Sequence, residues 1–327
     1  LDKIIAISAG DVNGIGPEII LKALASDTLH DCSIIIFGNF EAIQFWKSRL
    51  GSSVNLHKMQ NPDDFRSSSV GVWSKFDDSL PIRIGEIDRI AGLWSIRSIE
   101  EAVHWCLSHP PCPLVTAPIN KESIHLAGSQ FAGHTEMLAS LCDVAEEDIM
   151  MLLTSELLSV GLVTVHIPLN KVGDCISEER LEQKISIMYD SLIKQFGIDK
   201  PRLDILGLNP HAGDGGVIGD EEANIISKAI KKQNELGKQI RGPYPADAYF
   251  GASKWRESDG VIAMYHDQGL IPFKMLAFES GVNTTLGLPF VRTSPDHGTA
   301  FDIAGKNCAN ERSFIEALRL AKRLSYR

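Results

Sequence analysis

Three observations predict an α/β fold with largely parallel sheets. Short apolar runs rich in β-branched residues alternate with longer segments whose apolar positions recur at helical spacing. A glycine-rich stretch, Gly10-Asp11-Val12-Asn13-Gly14-Ile15-Gly16-Pro17-Glu18, joins the first apolar run to the first helical segment. Three histidines, His166, His211 and His266, each follow the end of a separate apolar run. In open α/β sheets, ligands gather outside the carboxyl ends of the strands.

The elements follow in order. Strands are expected at Ile4–Ser8, Ser33–Phe37, Leu114–Thr116, Ile149–Leu153, Ser159–Val165, Leu203–Leu208 and Val261–Met264. A helix over Pro17–Ala25 begins with proline in the first turn, where its missing N–H costs nothing. Arg89–Ser108 carries Ile90, Leu93, Ile96, Ile99, Val103 and Leu107 at helical spacing. Ser177 is placed to cap Glu178–Phe196, with acids in the first turn. Asp220–Leu236 stops at Gly237. Asn61–Ser79, polar and containing Ser67-Ser68-Ser69, reads as a mobile surface loop. A chain of 327 residues is long enough for two domains.

Composition narrows the function classes. A net charge of -10 argues against non-specific nucleic-acid binding. No run approaches the roughly 18 apolar residues of a membrane span. The opening LDKIIAISAG reads as a strand and not as a signal peptide. Six cysteines without a CxxC pair read as reduced thiols of a cytoplasmic protein.

The chemistry is concentrated in the loops. Gly10–Glu18 lets a backbone approach closely and offers helix N–H groups to an anion, yet it is neither GxGxxG nor a P-loop. Thr116-Ala117-Pro118-Ile119-Asn120-Lys121 puts a lysine just past a strand. Gly133-His134-Thr135-Glu136 opens a helix toward Leu141, suiting either an anion or a simple cap. Asn209–Gly216 holds His211; Gly242–Asp247 ends in an aspartate that reads as a metal ligand or a helix cap. Tyr265–Lys274 links His266 to a lysine, and Lys274, Asn283 and Arg292 follow at equal steps. Two cations and an amide suit a phosphorylated, acidic substrate, against the ordinary alternative of solvated side chains. Each histidine alone reads as a loop residue; three in one topological position read as ligands of one divalent metal.

Taken together, GDVNGIGPE, TAPINK, GHTE, NPHAGDGG, GPYPAD, YHDQGLIPFK and VNTTLGLPFVRTSPDHGTAFDIAGK resemble the 4-hydroxythreonine-4-phosphate dehydrogenase family over nearly the whole chain, from about Ile4 to Arg323. One departure is Asp11-Val12-Asn13-Gly14, where the family more often has Asp-Pro-Ala-Gly. The resemblance implies a fold similar to the isocitrate and isopropylmalate dehydrogenases, with two α/β domains flanking a central cleft. By that pattern residues 1–130 with 290–327 form one domain, and 131–289 the second, which carries the metal ligands and a homodimer interface where both subunits complete each site. It further implies that His166, His211 and His266 bind the metal, and that His134, Thr135, Lys274, Asn283 and Arg292 bind substrate. Segment His297–Lys306 is similar to the adenosine-binding loop of the isopropylmalate enzymes, placing His297, Gly298, Asp302 and Ile303 at the coenzyme. A carboxylate at Asp302 accepts from ribose hydroxyls and repels a 2′-phosphate, so NAD is expected ahead of NADP. Zinc suits neutral imidazoles, with magnesium and cobalt as alternatives.

The implied reaction oxidises the secondary alcohol of 4-phosphooxy-threonine to a β-keto acid, which loses CO2 to give 3-amino-2-oxopropyl phosphate on the route to pyridoxal 5′-phosphate. Lys121 and Asp247 are the candidates for the proton acceptor. The competing readings are a catabolic threonate or erythronate 4-phosphate dehydrogenase, and a phosphate acyltransferase. The three histidines and Asp302-Ile303 argue against the last.

Overall fold

The computed structural model describes residues 3–26, 31–63, 70–75 and 81–326. The chain forms two compact units, one made of residues up to Val144 with those from Leu288 onward, the other of Ala145–Gly287. The first boundary lies beyond residue 130, so the segment carrying His134 and Thr135 belongs to the first unit.

The first unit runs through β1 (Lys3–Ser8), α1 (Gly16–Ala25), β2 (Cys32–Phe37), α2 (Phe40–Leu50), β3 (Leu56–Lys58), β4 (Val70–Trp73), α3 (Arg89–Ser108), β5 (Leu114–Thr116), α4 (Lys121–Leu126) and α5 (His134–Leu141). The second holds β6 (Met150–Thr154), β7 (Ser159–Leu162), α6 (Glu178–Lys194), β8 (Arg202–Leu206), α7 (Ser227–Glu235), β9 (Gln239–Tyr244), α8 (Ala246–Gly251), β10 (Gly260–Ala263), α9 (His266–Ala277) and β11 (Val282–Leu286). The chain then returns to the first unit as β12 (Arg292–Pro295) and α10 (Arg312–Ser325).

Strand order in the first unit is β3-β4-β2-β1-β5-β12, every neighbouring pair parallel. Parallel strands are covered on both faces, which is why β1 and β2 read as unbroken apolar runs. Ile5, Ile7, Ile35 and Phe37 are fully buried. The Asp88 carboxylate caps α3 by accepting from the N–H groups of Ile90 and Ala91. Residues 4 and 326 are tied directly: the Tyr326 hydroxyl accepts from Ile4 N at 3.0 Å and donates to Ile4 O at 2.5 Å.

In the second unit the order is β11-β6-β7-β10-β8-β9. The pairs β11–β6 and β6–β7 are antiparallel; β7, β10, β8 and β9 run parallel. Alternation along the strands divides the core. Leu203, Ile205, Ile262 and Met264 pack with Leu181, Ile185 and Met188 of α6. Val160, Val261 and Ala263 pack with Tyr249, Leu270 and Phe273 of α8 and α9. Burying each of the larger side chains stabilises the unit by about 1.5–3 kcal/mol.

Several elements differ from the sequence expectation. The expected loop 61–79 contains β4, whose Val72 is fully buried between β2 and β3. A four-residue strand with Gly71 inside gives too short a pattern to read; Ser67-Ser68-Ser69 lies outside the described residues. The Gly242–Asp247 loop is largely strand and helix, β9 ending at Tyr244 and α8 starting at Ala246. Segment His266–Lys274 is helical, although Pro272 inside α9 removes a hydrogen bond at a typical cost of ~3 kcal/mol. Arg292–Pro295, where no strand was expected, is the buried strand β12.

Candidate active site

In the second unit, β7, β10 and β8 are neighbours and parallel, with Leu162 opposite Ala263 and Ile262 opposite Ile205. Their carboxyl ends therefore share one edge. Beyond β7 the pairing persists: Val163 N donates to Ala263 O (2.9 Å), and the Thr164 hydroxyl donates to Met264 O (2.7 Å). That seam brings His166 beside His266, their ring centroids 5.8 Å apart. Two imidazoles on one tetrahedral ion sit roughly 5 Å apart, given Zn–N distances of about 2.0–2.1 Å. His266 opens α9, and its Nδ1 lies 2.7 Å from Asp267 Oδ1. A carboxylate on one ring nitrogen fixes the tautomer and leaves the other nitrogen for a metal. Gln268 ties this turn to β8, accepting from Met264 N and donating to Gly207 O, both at 2.7 Å.

His211 sits past the end of β8 in a turn with a left-handed backbone from His211 through Gly215. For His211, Ala212 and Asp214 that conformation costs about 1–2 kcal/mol each. Among the described residues no three His, Cys, Asp or Glu side chains are grouped to hold a metal ion. Within one chain, then, the imidazole pair is near sharing distance and His211 does not complete a triad with it. The donor chemistry of the His166–His266 pair suits a divalent metal.

Lys274 and His266 line one groove along α9 with Leu270, Ile271 and Met275. Asn283 lies elsewhere: it pairs with Leu153, which pairs with Val160 near the start of β7, away from the histidine edge. Asp247, exposed in the first turn of α8, follows the carboxyl end of β9.

In the first unit, TAPINK, GHTE and VRTSP converge at the carboxyl end of β5. Arg292 opens β12 opposite Leu114 and donates through Nη2 to the Thr116 hydroxyl at 2.6 Å. Burial pushes its pKa down to about 9, so an incoming anion is favoured there by charge. His134 begins α5, with Thr135 next. Burial, then the Arg292 charge, hold His134 well below the ordinary imidazole range, so the ring is neutral. Its Nε2 is buried without a hydrogen-bond partner among the described residues. Lys121 opens α4, and a Cβ added at Gly133 would lie 3.8 Å from Lys121 Cε. A buried guanidinium, a neutral imidazole, a lysine and a helix N-terminus together suit a phosphate or carboxylate.

The glycine-rich loop and the 297–306 loop pack against each other, Ile15 N donating to Thr299 O at 3.0 Å. His297, Gly298 and Asp302 are exposed and Ile303 half-buried. Sequence reasoning missed Asn13 and Asp11. Asn13 Oδ1 accepts from Arg83 N (2.8 Å) and its Nδ2 donates to Glu86 O (3.2 Å), pinning the 83–86 turn. That turn packs on the 297–306 loop so closely that a Cβ at Gly85 would meet Phe301 O at 2.9 Å. The departure at Asn13 therefore adds an anchor. Asp11 is fully buried, accepts from Asn13 N at 2.9 Å, and has its pKa raised to about 6, chiefly by burial.

Comparison with known proteins identifies the family of the chain. The family model described as pyridoxal phosphate biosynthetic protein PdxA matches residues 30–321. The chain belongs to the PdxA family. Among similar PdxA relatives, a 4-hydroxythreonine-4-phosphate dehydrogenase of Prosthecochloris aestuarii is 43% identical over 99% of this chain and 98% of its own length. A D-threonate 4-phosphate dehydrogenase of Salmonella typhimurium is 39% identical over 99% of both chains. The crystal structure of a 4-hydroxythreonine-4-phosphate dehydrogenase from Klebsiella pneumoniae is similar with a TM-score of 0.89 at 37% identity, covering 100% of this chain and 99% of that one.

Proposed function

We propose that this PdxA-family chain is a metal-dependent, NAD-linked dehydrogenase. It oxidises 4-phosphooxy-L-threonine to 2-amino-3-oxo-4-phosphooxybutanoate, which decarboxylates to 3-amino-2-oxopropyl phosphate for pyridoxal 5′-phosphate synthesis. The observation that carries the reading is the buried Arg292 beside neutral His134, an anion pocket of the kind a phosphorylated substrate needs.

When bound, a divalent ion would supply charge stabilisation at the substrate oxygen, and NAD would supply the hydride acceptor. The protein's own groups bind and orient. Arg292, His134, Thr135 and the α5 N-terminus hold an anionic end of the substrate, with Lys274 as a further contact; for Asn283, set back from the histidine edge, a substrate contact rests on the family resemblance alone. Neutral His134 donates or accepts without adding a charge that would repel Arg292. His166 and His266, with His211, are the ligands for the ion, zinc ahead of magnesium or cobalt. Lys121 and Asp247 are the candidates to take the alcohol proton. His297, Gly298, Asp302 and Ile303 frame the coenzyme's adenosine, and the Asp302 carboxylate favours NAD over NADP.

The chain acts as a homodimer. Exposed apolar side chains flank all three histidines: Ile167 and Leu169 after His166, Val217 and Ile218 after His211, Ile271 and Met275 after His266. Met275 is 83% exposed and Val217 82%. Such a surface is suited to burial against a second copy, as expected where both subunits contribute to each site.

The Salmonella relative favours a second reading, oxidation of D-threonate 4-phosphate, where only contacts to the amino group differ. NADH formation from the two substrates, each with and without prior chelator treatment, separates these readings. Turnover of neither sinks both; full turnover after chelation and dialysis sinks the metal requirement.

A further inference from the structure

We propose that Glu222 is the positioning residue for His211, acting through Asn209; this rests on the reading of His211 as a metal ligand. The left-handed turn bearing His211 springs from Asn209, whose O accepts from Ala212 N at 3.1 Å. Pro210 has no N–H, so Asn209 is where the strained turn is anchored. Glu222, 4% exposed, grips that residue twice: Oε1 accepts from Asn209 N at 2.7 Å and Oε2 from Asn209 Nδ2 at 3.0 Å. Glu221 Oε2 accepts from the same Nδ2 at 2.7 Å. Two successive carboxylates thus converge on one amide, where the helix widens into a π-turn over Glu222–Ile226. Such π-turns are rare and recur at functional sites.

The surrounding backbone is cleared for this grip. A Cβ at Gly213 would meet Glu222 Oε2 at 2.7 Å, and one at Gly207 would meet Oε1 at 3.1 Å. At Gly219 it would strike Asn209 Nδ2 at 2.3 Å. Three glycines around one carboxylate–amide pair leave the turn no other place to settle. A left-handed run that includes three non-glycine residues persists only where its surroundings over-determine it, and these contacts do so. Glu222 touches no reacting group; it fixes the direction from which His211 is offered.

The test is zinc and cobalt(II) titration calorimetry on the full chain after chelator stripping, with NAD binding as a control. Glu222→Gln sets an amide against the Asn209 amide while keeping shape. Asn209→Ala removes the held side chain and is the second variant should the first fail to fold. Each should weaken divalent-ion binding by about 10–100-fold with NAD binding unchanged. Combined with His211→Ala, neither should add to the loss that His211→Ala causes alone. If His211→Ala weakens metal binding while Glu222→Gln and Asn209→Ala do not, or if the losses simply add, the positioning role is wrong and the ligand reading survives. If His211→Ala leaves affinity at the parent value, the ligand reading falls and takes this inference with it.

Discussion

Replacing Asp11 with asparagine should stabilise the chain above about pH 6 and leave it little changed near pH 4. Asp11 is fully buried in the glycine-rich loop, and burial, with a smaller push from the Asp88 charge, holds its pKa near 6 against an ordinary 3.8. A carboxyl whose pKa is raised on folding favours the protonated form in the native state. Wild-type stability should therefore fall as pH rises from about 4 to 6 and level off above, where the buried charge costs about 3 kcal/mol as an upper value. Asparagine carries no charge and keeps an oxygen for the Asn13 N–H. The stability gap between variant and parent should open across that window and stay open at pH 7.5. At about 2–4 °C per kcal/mol, the melting temperature of the transition that includes the first unit should rise by several degrees at pH 7.5. Differential scanning calorimetry of both proteins from pH 4 to 8 measures this. An Asp11→Asn chain with the same melting temperature as the parent at pH 7.5, or a gap that widens toward pH 4, would refute the reasoning.

Three further outcomes are expected. Arg292→Gln removes a charge-assisted contact worth about 1.5–3 kcal/mol, so KM for the phosphorylated substrate should rise by roughly 10–150-fold with little change in KM for NAD; equal effects on both would count against the anion pocket. Met275→Glu puts a charge on the exposed apolar face of α9; if the parent sediments as the proposed dimer, the variant should sediment as monomer with weaker zinc binding, and an unaltered dimer places the interface elsewhere. Asp302→Ser removes the carboxylate opposed to a 2′-phosphate and should raise kcat/KM with NADP relative to NAD by at least tenfold, as measured by initial rates; an unmoved ratio means Asp302 does not face the ribose.

What was legible in the sequence follows from where the information lies. Buried parallel strands such as β1 and β2 carry unbroken apolar runs, and long helices such as α3 and α6 carry a helical period and an N-terminal capping residue. Their bounds could be read to within a few residues. The histidines at strand ends could be placed on one edge because that edge depends only on strand direction. Short elements escaped. β4, β9, β11 and β12 are four to six residues long and hold glycine, proline or polar residues that mimic loop composition. α10 carries Phe314, Ala317, Leu318, Ala321 and Leu324 at helical spacing, a signal present but passed over. Asp11, Asn13 and Glu222 were invisible for another reason. Each matters through burial and contacts that exist only once the chain has folded, and a buried acid or amide has no signature in a linear string that separates it from a solvated one.

The Tyr326–Ile4 tie has a consequence for the order in which the protein is made. Strands β1, β2 and β5 are translated early, yet their layer lacks β12 and its cover α10 until residues 292–326 have been added. Residues 145–287, one uninterrupted stretch, can close their own core while that earlier sheet still waits with an open edge. While residues 117–291 are being added, β5 therefore keeps an unpaired edge and the face that α10 covers stays bare, until the Tyr326 hydroxyl fastens β1 at Ile4.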